Sequence, residues 1–154
     1  MLFPKFKLKS VTFIFACLIL LVFIITEIVY AVKKNSDSPM SWQCVLYWSG
    51  GKFTYAISRK GHIHRLFLPM ILHSGFFHIF WNVLTLLMIG FVVEEACGRW
   101  FKYVILLIAG AIGGTIFSAV VDPYSIGVGA SSSLFALLAV MCIWFYLNYN
   151  NLGP

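Results

Sequence analysis

The sequence predicts an all-α, polytopic membrane protein built as a bundle of four transmembrane helices. Of its 154 residues, 61% are hydrophobic and only 10% are charged, which is far outside the range of soluble domains. The apolar residues are gathered into four runs, each close to the length of about 20 residues that crosses a bilayer as a helix. Charged residues, glycines and prolines separate the runs and mark the loops.

The first apolar run predicts a retained transmembrane helix over residues 11–32, preceded by a basic cytosolic tail over residues 1–10. The run contains neither glycine nor proline, and its length of about 33 Å is sufficient to cross the hydrocarbon core. Ala31 and Val32 lead directly into two lysines, and no small-residue cleavage site follows. The run is therefore not interpreted as a signal peptide.

Residues 33–72 predict a loop that lies in the membrane interface. Trp42, Tyr47 and Trp48 occur close together in a stretch too short to span, and such a density of Trp and Tyr is typical of the interface. Pro69 favours a break before the next helix.

Residues 73–148 predict the core, which holds the second, third and fourth spans over residues 76–93, 101–121 and 130–147. In the third span, Gly110 and Gly114 form a pair of small residues four apart, which lets another helix approach closely. Residues 149–154 are interpreted as the beginning of an interhelical loop that is cut short.

The net charge of +6 arises from 11 basic and 5 acidic residues distributed over tails and loops. No basic cluster is interleaved with aromatic residues as nucleic-acid binding requires, so we expect no nucleic acid, and membrane lipids are the expected partners. The basic residues divide almost evenly between the two sides of the predicted bundle and do not decide its orientation. The N-terminus lacks the arginines of a mitochondrial presequence, which favours the secretory pathway or the plasma membrane.

Polar residues stand out at the start of the second span. His78 and Asn82 are four residues apart, so they share one helix face, and His73 lies where the loop enters that helix. Polar groups inside a span are expensive and mark functional sites. Hydrogen bonding between helices is an alternative role. A metal site using these residues with His62 and His64 is a further alternative, although no acidic or thiol residue joins them at a ligand spacing.

A second polar group begins the fourth span, where Gly127 and Gly129 precede Ser131. A serine in the first turn of a helix lies beside free backbone N–H groups, which can stabilise an oxyanion while the hydroxyl attacks a carbonyl. The alternative is that Ser131, Ser132 or Ser133 simply caps the helix.

The two groups together resemble the rhomboid family of intramembrane serine proteases. The resemblance lies in the His-x4-His-x3-Asn spacing of residues 73–82, in the Gly-Ala-Ser of residues 129–131, and in the surrounding residues 65–78 and 117–138. It covers roughly Gly61 to Asn148. It implies four spans of a six-span fold and a protease that cleaves transmembrane segments of other proteins within the bilayer.

The resemblance also assigns the site residues. Ser131 is the nucleophile, and His78 and Asn82 form the oxyanion hole with the backbone N–H of Ser131. His73 and Gly129 support the site, and neither a metal nor an organic cofactor is needed. We expect a polar, water-accessible cavity around these groups, because hydrolysis consumes water.

The sequence departs from the family pattern in the general base. The family uses a histidine on its sixth helix, whereas the four histidines here (62, 64, 73 and 78) all precede Ser131. In addition, Ser132 stands where a glycine is usual, and His64-Arg65 stands where Trp-Arg is usual. Three hypotheses result: an incomplete copy of an active protease, inactive as this chain alone; a pseudoprotease that binds membrane clients; and an unrelated membrane protein whose polar residues only pack.

Overall fold

The computed structural model describes residues 8–36 and 38–149. Most of the predicted basic tail and all but the first residue of the predicted last loop therefore lie outside the described residues. In chain order the helices are α1 (Val11–Lys34), α2 (Trp42–Trp48), α3 (Thr54–Lys60), α4 (Phe76–Cys97), α5 (Trp100–Val121) and α6 (Ser131–Asn148). The described residues form no strand beyond one isolated bridge, so the all-α prediction is confirmed.

Four of these helices (α1, α4, α5 and α6) are long and apolar enough to cross a membrane, which confirms the predicted number of spans. Many of their large apolar side chains, such as Leu21, Met88 and Ile105, are exposed on the outside of the bundle. That surface is suited to lipid, because lipid tails are as apolar as these side chains.

Helix α4 continues past the predicted end of its span at residue 93. Glu94 and Glu95 lie beyond that predicted end and are still helical, and the helix ends only at Gly98, whose left-handed φ of 66° terminates it. The Glu94 carboxylate accepts hydrogen bonds from the backbone N–H of Val11 (2.8 Å), the backbone N–H of Thr12 (2.9 Å) and the Thr12 hydroxyl (2.7 Å). A carboxylate at the first turn of α1 satisfies free N–H groups and complements the helix dipole, so it ties α1 to α4.

The interfacial loop is folded rather than irregular. It contains α2, α3 and two short 3₁₀ turns, Ile63–Leu66 and Leu68–Ile71. The Arg65 guanidinium is buried at its centre, donates to the carbonyls of Tyr47 and Gly51 at 2.7 Å each, and lies 4.3 Å from the centre of the Tyr47 ring. Arg65 thus ties the first 3₁₀ turn to α2 and to Gly51, whereas His64 beside it is exposed.

Helices α5 and α6 pack through small residues, as the sequence predicted for Gly110 and Gly114. A Cβ added at Gly110 would lie 2.7 Å from Cβ of Ala136, and one added at Gly114 would collide with the side chain of Ser132. The Ser133 hydroxyl donates to the carbonyl of Leu107 at 2.8 Å across the same interface. This close approach fixes where α6 begins relative to α5.

Candidate active site

The structure brings His78, Asn82 and Ser131 to the wall of one cavity of about 510 Å³. His78 and Asn82 lie one turn apart in α4, and Ser131 is the first residue of α6. All ten residues that line the cavity belong to these two helices. The spacing in the sequence therefore translates into a shared site.

Ser131 does not cap its own helix. The N-cap position is occupied by Ala130, and no side chain forms a capping hydrogen bond there. Ser133 is committed to Leu107 instead. The capping alternative is therefore wrong, and the half-buried Ser131 hydroxyl faces the cavity beside the free N–H groups of the helix start.

Gly129 brings the imidazole of His78 next to the segment that holds Ser131. Its φ of 124° is open to glycine and strained for other residues. A Cβ added there would lie 2.7 Å from Nε2 of His78 and 3.7 Å from Oγ of Ser131, so the two atoms are separated by no more than the sum of these distances. The Gly129 N–H donates to the carbonyl of Pro69 at 2.8 Å, which holds the segment in this position.

Ser74 determines which nitrogen of His78 carries the proton. The backbone N–H of Ser74 donates to Nδ1 of His78 at 3.5 Å, and the Ser74 hydroxyl lies 3.0 Å from the same nitrogen. Because a backbone N–H can only donate, we assign Nδ1 as the acceptor and the proton to Nε2. The N–H of His78 then points toward Gly129 and the Ser131 segment, as an oxyanion donor requires.

His73 lies behind His78 and is completely buried. Its Nε2 accepts from the backbone N–H of Ala130 at 3.5 Å, and its ring contacts the ring of His78 with centroids 5.0 Å apart. Burial, and secondarily the neighbouring His78, lowers the pKa of His73 to about 4, so the ring is neutral near pH 7. The Ile71 carbonyl opposes that shift, but Nδ1 has no hydrogen-bond partner among the described residues.

The side-chain amide of Asn82 has fewer donors available to the cavity than the sequence suggested. We expected His78 and Asn82 both to donate toward one point, but the Asn82 amide donates to the carbonyl of His78 at 2.8 Å within its own helix. A carboxamide has two N–H donors, so one remains for the cavity.

The four histidines form two separate pairs. His62 and His64 stack with ring centroids 5.3 Å apart, whereas His73 contacts His78. Over residues 8–36 and 38–149, no three His, Cys, Asp or Glu side chains are placed to hold one metal ion. The metal-site alternative has no geometric support in that part of the chain.

The cavity between α4 and α6 is not the polar space that we expected. Six of its ten lining residues are apolar: Phe77, Trp81, Ile89, Leu134, Phe135 and Leu138. A second cavity of about 550 Å³ also reaches Ser131, and polar residues such as Lys52, Ser118 and Ser132 contribute to its wall. Ser131 therefore stands between one mainly apolar cavity and one with more polar groups.

Comparison with known proteins agrees with this geometry. The model of the rhomboid domain matches residues 60–154, which include both polar groups and every lining residue of the two cavities except Lys52. The chain belongs to the rhomboid family. The hypothesis of an unrelated membrane protein is therefore wrong, and family membership together with four apolar helices makes the chain an integral membrane protein.

Several rhomboid relatives are named as proteases. The chain is 33% identical to "Rhomboid-like protease 1" of Toxoplasma gondii, over 99% of this chain and 50% of the relative. It is 32% identical to "Rhomboid protease GluP" of Bacillus subtilis, over 84% of this chain and 24% of the relative. It is 35% identical to "RHOMBOID-like protein 1" of Arabidopsis thaliana, over 55% of this chain and 22% of the relative. The chain thus spans half or less of the length of these relatives.

Two residues of the site were missed by the sequence analysis. Ser74 directly follows His73, and a hydroxyl beside a functional histidine is a signal that could have been used. Lys52 is the other: it is a lysine that follows two glycines in a largely apolar stretch, and it is buried in the structure.

Proposed function

We propose that this rhomboid-family chain carries the nucleophile and oxyanion hole of a serine endopeptidase that cleaves transmembrane segments of other membrane proteins. The observation that carries the proposal is the juxtaposition at Gly129, where the Ser131 hydroxyl and the Nε2 of His78 approach the same point. A nucleophile and an N–H donor on opposite sides of a reacting carbonyl are what acyl transfer requires.

In the proposed reaction, Oγ of Ser131 attacks the carbonyl carbon of a peptide bond in the substrate. The carbonyl oxygen becomes negatively charged and accepts hydrogen bonds from the N–H of His78, the free N–H of Asn82 and the backbone N–H of Ser131. The C–N bond then breaks, the amine takes a proton and leaves, and an ester to Ser131 remains. Water attacks that ester, releases the new carboxyl group and restores the hydroxyl.

The two cavities fit two different components of this reaction. The apolar cavity between α4 and α6 suits the side chains of an apolar substrate segment, because burial there costs no hydrogen bonds. The second cavity offers the hydroxyl groups of Thr115, Ser118 and Ser132 as polar partners to the water that hydrolyses the ester. Ser131 contacts both, as a hydrolase working on apolar substrates needs.

The attack also requires a base that takes the proton of Ser131. The family resemblance assigns that role to a histidine following the nucleophile, and these 154 residues contain no counterpart. Removing one member of such a catalytic unit costs several orders of magnitude in rate. A second candidate function is a rhomboid pseudoprotease that binds membrane clients without cleaving them, in which the apolar cavity beside Ser131 would hold the client's transmembrane segment.

The proposal also covers the membrane lipids around the interfacial loop and the location of the protein. Arg59, Lys60 and His64 are exposed on the interfacial loop together with Trp48 and Tyr55. Cationic and amphipathic aromatic side chains together suit the head-group region of an anionic membrane, so membrane lipids are partners of this loop. The secretory pathway or plasma membrane remains the proposed location.

The experiment uses the protein made from its complete coding sequence, reconstituted in liposomes with a reporter that contains one transmembrane segment. We expect the unmodified protein to cleave the reporter and Ser131→Ala to abolish cleavage. Ser58→Ala is the matched control, because Ser58 is exposed on α3 and distant in sequence from both polar groups. Undiminished cleavage by Ser131→Ala would exclude Ser131 as the nucleophile, whereas crosslinking of the reporter without any cleavage would favour the pseudoprotease.

A further inference from the structure

The segment that leads into Ser131 is held by the interfacial loop. Gly127, in the connection between α5 and α6, forms an antiparallel bridge with Lys52 of the interfacial loop. Each backbone N–H donates to the carbonyl of the other residue, at 2.8 and 3.0 Å. Two residues later, the N–H of Gly129 donates to Pro69. Both partners, Lys52 and Pro69, belong to the interfacial loop, so this loop fixes the backbone on the approach to Ser131.

The side chain of Lys52 reinforces this bridge. It is only 1% exposed, and its ammonium group donates to the backbone carbonyl of Asp122 at 2.7 Å, with the Ser118 carbonyl at 3.5 Å and the Ser125 hydroxyl at 3.4 Å. An ammonium group has three donors, which matches these three acceptors. The last carbonyls of a helix lack partners and carry the negative end of its dipole, so Lys52 caps the C-terminus of α5.

The bridge and the ammonium act on opposite ends of the same short segment. The backbone of Lys52 holds Gly127, its side chain holds Asp122, and a Cβ added at Gly127 would lie 2.8 Å from Cε of Lys52. The stem of the lysine thus fills the space between the two attachment points. Burial lowers the pKa of Lys52, and the charge of Asp122 opposes this effect and favours the ammonium form.

We propose that Lys52 is a positioning residue that holds residues 122–130 against the interfacial loop and thereby places the Ser131 hydroxyl opposite His78. The inference rests on the proposed function, in which that placement controls the rate of acyl transfer. Lys52 touches neither the substrate nor the reacting atoms in this scheme. It acts through the backbone of the segment, and so it affects the chemical step more than the binding of an apolar substrate.

The test replaces Lys52 with methionine, which keeps an unbranched apolar stem and removes the ammonium group. Lys60→Met is the matched control, because Lys60 is an exposed lysine of the same loop. Both variants are made in the protein expressed from its complete coding sequence. Amide hydrogen exchange reports the mobility of the segment, and kcat and KM for the transmembrane reporter report its effect on the reaction.

For Lys52→Met we expect exchange at residues 122–131 to become about 10-fold faster or more, with α4 unchanged. We expect kcat to fall by about 10- to 100-fold while KM changes by less than about two-fold, because a small misplacement of a reacting group affects mainly the transition state. Lys60→Met should behave as the unmodified protein in both measurements.

Unchanged exchange in Lys52→Met would overturn the proposal, and so would faster exchange with an unchanged kcat. An equal loss in kcat from Lys60→Met would also overturn it, because the effect would then follow from the charge of the loop. Absence of cleavage by the unmodified protein would count against the proposed function. Exchange at residues 122–131 would in that case decide alone whether Lys52 holds the segment.

Discussion

Gly129→Ala tests the spacing between the Ser131 segment and the imidazole of His78. At a φ of 124°, a residue other than glycine costs about 1–3 kcal/mol of stability. The new Cβ would also lie 2.7 Å from Nε2 and 2.8 Å from Cε1 of His78, whereas ordinary contact needs about 3.5 Å. The ring or the segment must therefore move by roughly 0.8 Å to restore ordinary contact.

A displacement of that size is large for a reacting group. A misplacement of about 1 Å lowers the rate by on the order of 100-fold, so we expect kcat of Gly129→Ala to fall by about that factor. The corresponding increase in the activation barrier is about 2.7 kcal/mol. Reporter cleavage in liposomes measures kcat and KM, and thermal unfolding in detergent measures the accompanying loss of stability.

Gly61→Ala separates the cost of a positive φ from the effect of the collision with His78. Gly61 also has a positive φ, 66°, but no atom lies within 4 Å of a Cβ added there. We expect this control to lose about 1–2 kcal/mol of stability and to retain its kcat, because it carries a backbone cost without a collision. A Gly129→Ala protein that cleaves at the rate of the unmodified protein would refute the role of His78 as a closely placed oxyanion donor.

Two further predictions concern the histidines. Ser74→Ala should lower kcat by about 10-fold at an unchanged KM, because Nδ1 of His78 loses its hydroxyl partner and the proton is less firmly held on Nε2; nitrogen NMR of the imidazole checks the tautomer. The pKa of His73, about 4 instead of 6.5, means that the unfolded chain binds a proton before the folded chain does as the pH falls. Stability that is fully present above pH 6.5 should therefore decrease between about pH 6.5 and 4, by about 3 kcal/mol in total. The free energy of unfolding, measured at several pH values between 6.5 and 4, should depend less on pH in His73→Gln than in the unmodified protein. An equal pH dependence in the two proteins would contradict the argument that burial lowers the pKa of His73.

The spans were predictable because a bilayer imposes a length on apolar runs. Helix α1 begins at Val11 and α4 at Phe76, the residues that the runs predicted. The pair Gly110 and Gly114 was also informative, since small residues four apart have few other uses inside a span. These features depend on local sequence alone.

Contacts between distant residues were not predictable in this way. The sequence placed Glu94 just outside the second span, but its partners in α1 lie 82 and 83 residues away. Lys52 looked like a loop charge, and the carbonyl that it binds lies 70 residues further along. Hydropathy and spacing describe a residue by its neighbours in sequence, whereas both of these charges are stabilised by the ends of other helices.

The expectation of a polar cavity around the site residues was wrong for a physical reason. We inferred a single polar cavity from the need for water, but the proposed reaction brings together an apolar transmembrane segment and water. Tight packing of Gly110 and Gly114 draws α6 against α5, whereas the bulky side chains of Phe77, Trp81 and Phe135 line the space between α4 and α6.

The asymmetry of α6 packing supports the first residue of α6, Ser131, as the proposed nucleophile. On the α5 side, the small residues Gly110 and Gly114 bring the two helices into close contact, and the more polar cavity lies beside the C-terminal part of α5, from Gly113 to Ser118. On the α4 side, an apolar cleft bounded by two helices leads to Ser131, and the polar groups of His78 and Asn82 line it. In the proposed reaction, a transmembrane segment bound in this cleft would meet apolar side chains along the cleft and hydrogen-bond donors beside the Ser131 hydroxyl. Its backbone would then be open to attack at the level of Ser131, where its polar groups find donors, and not along the apolar part of the cleft.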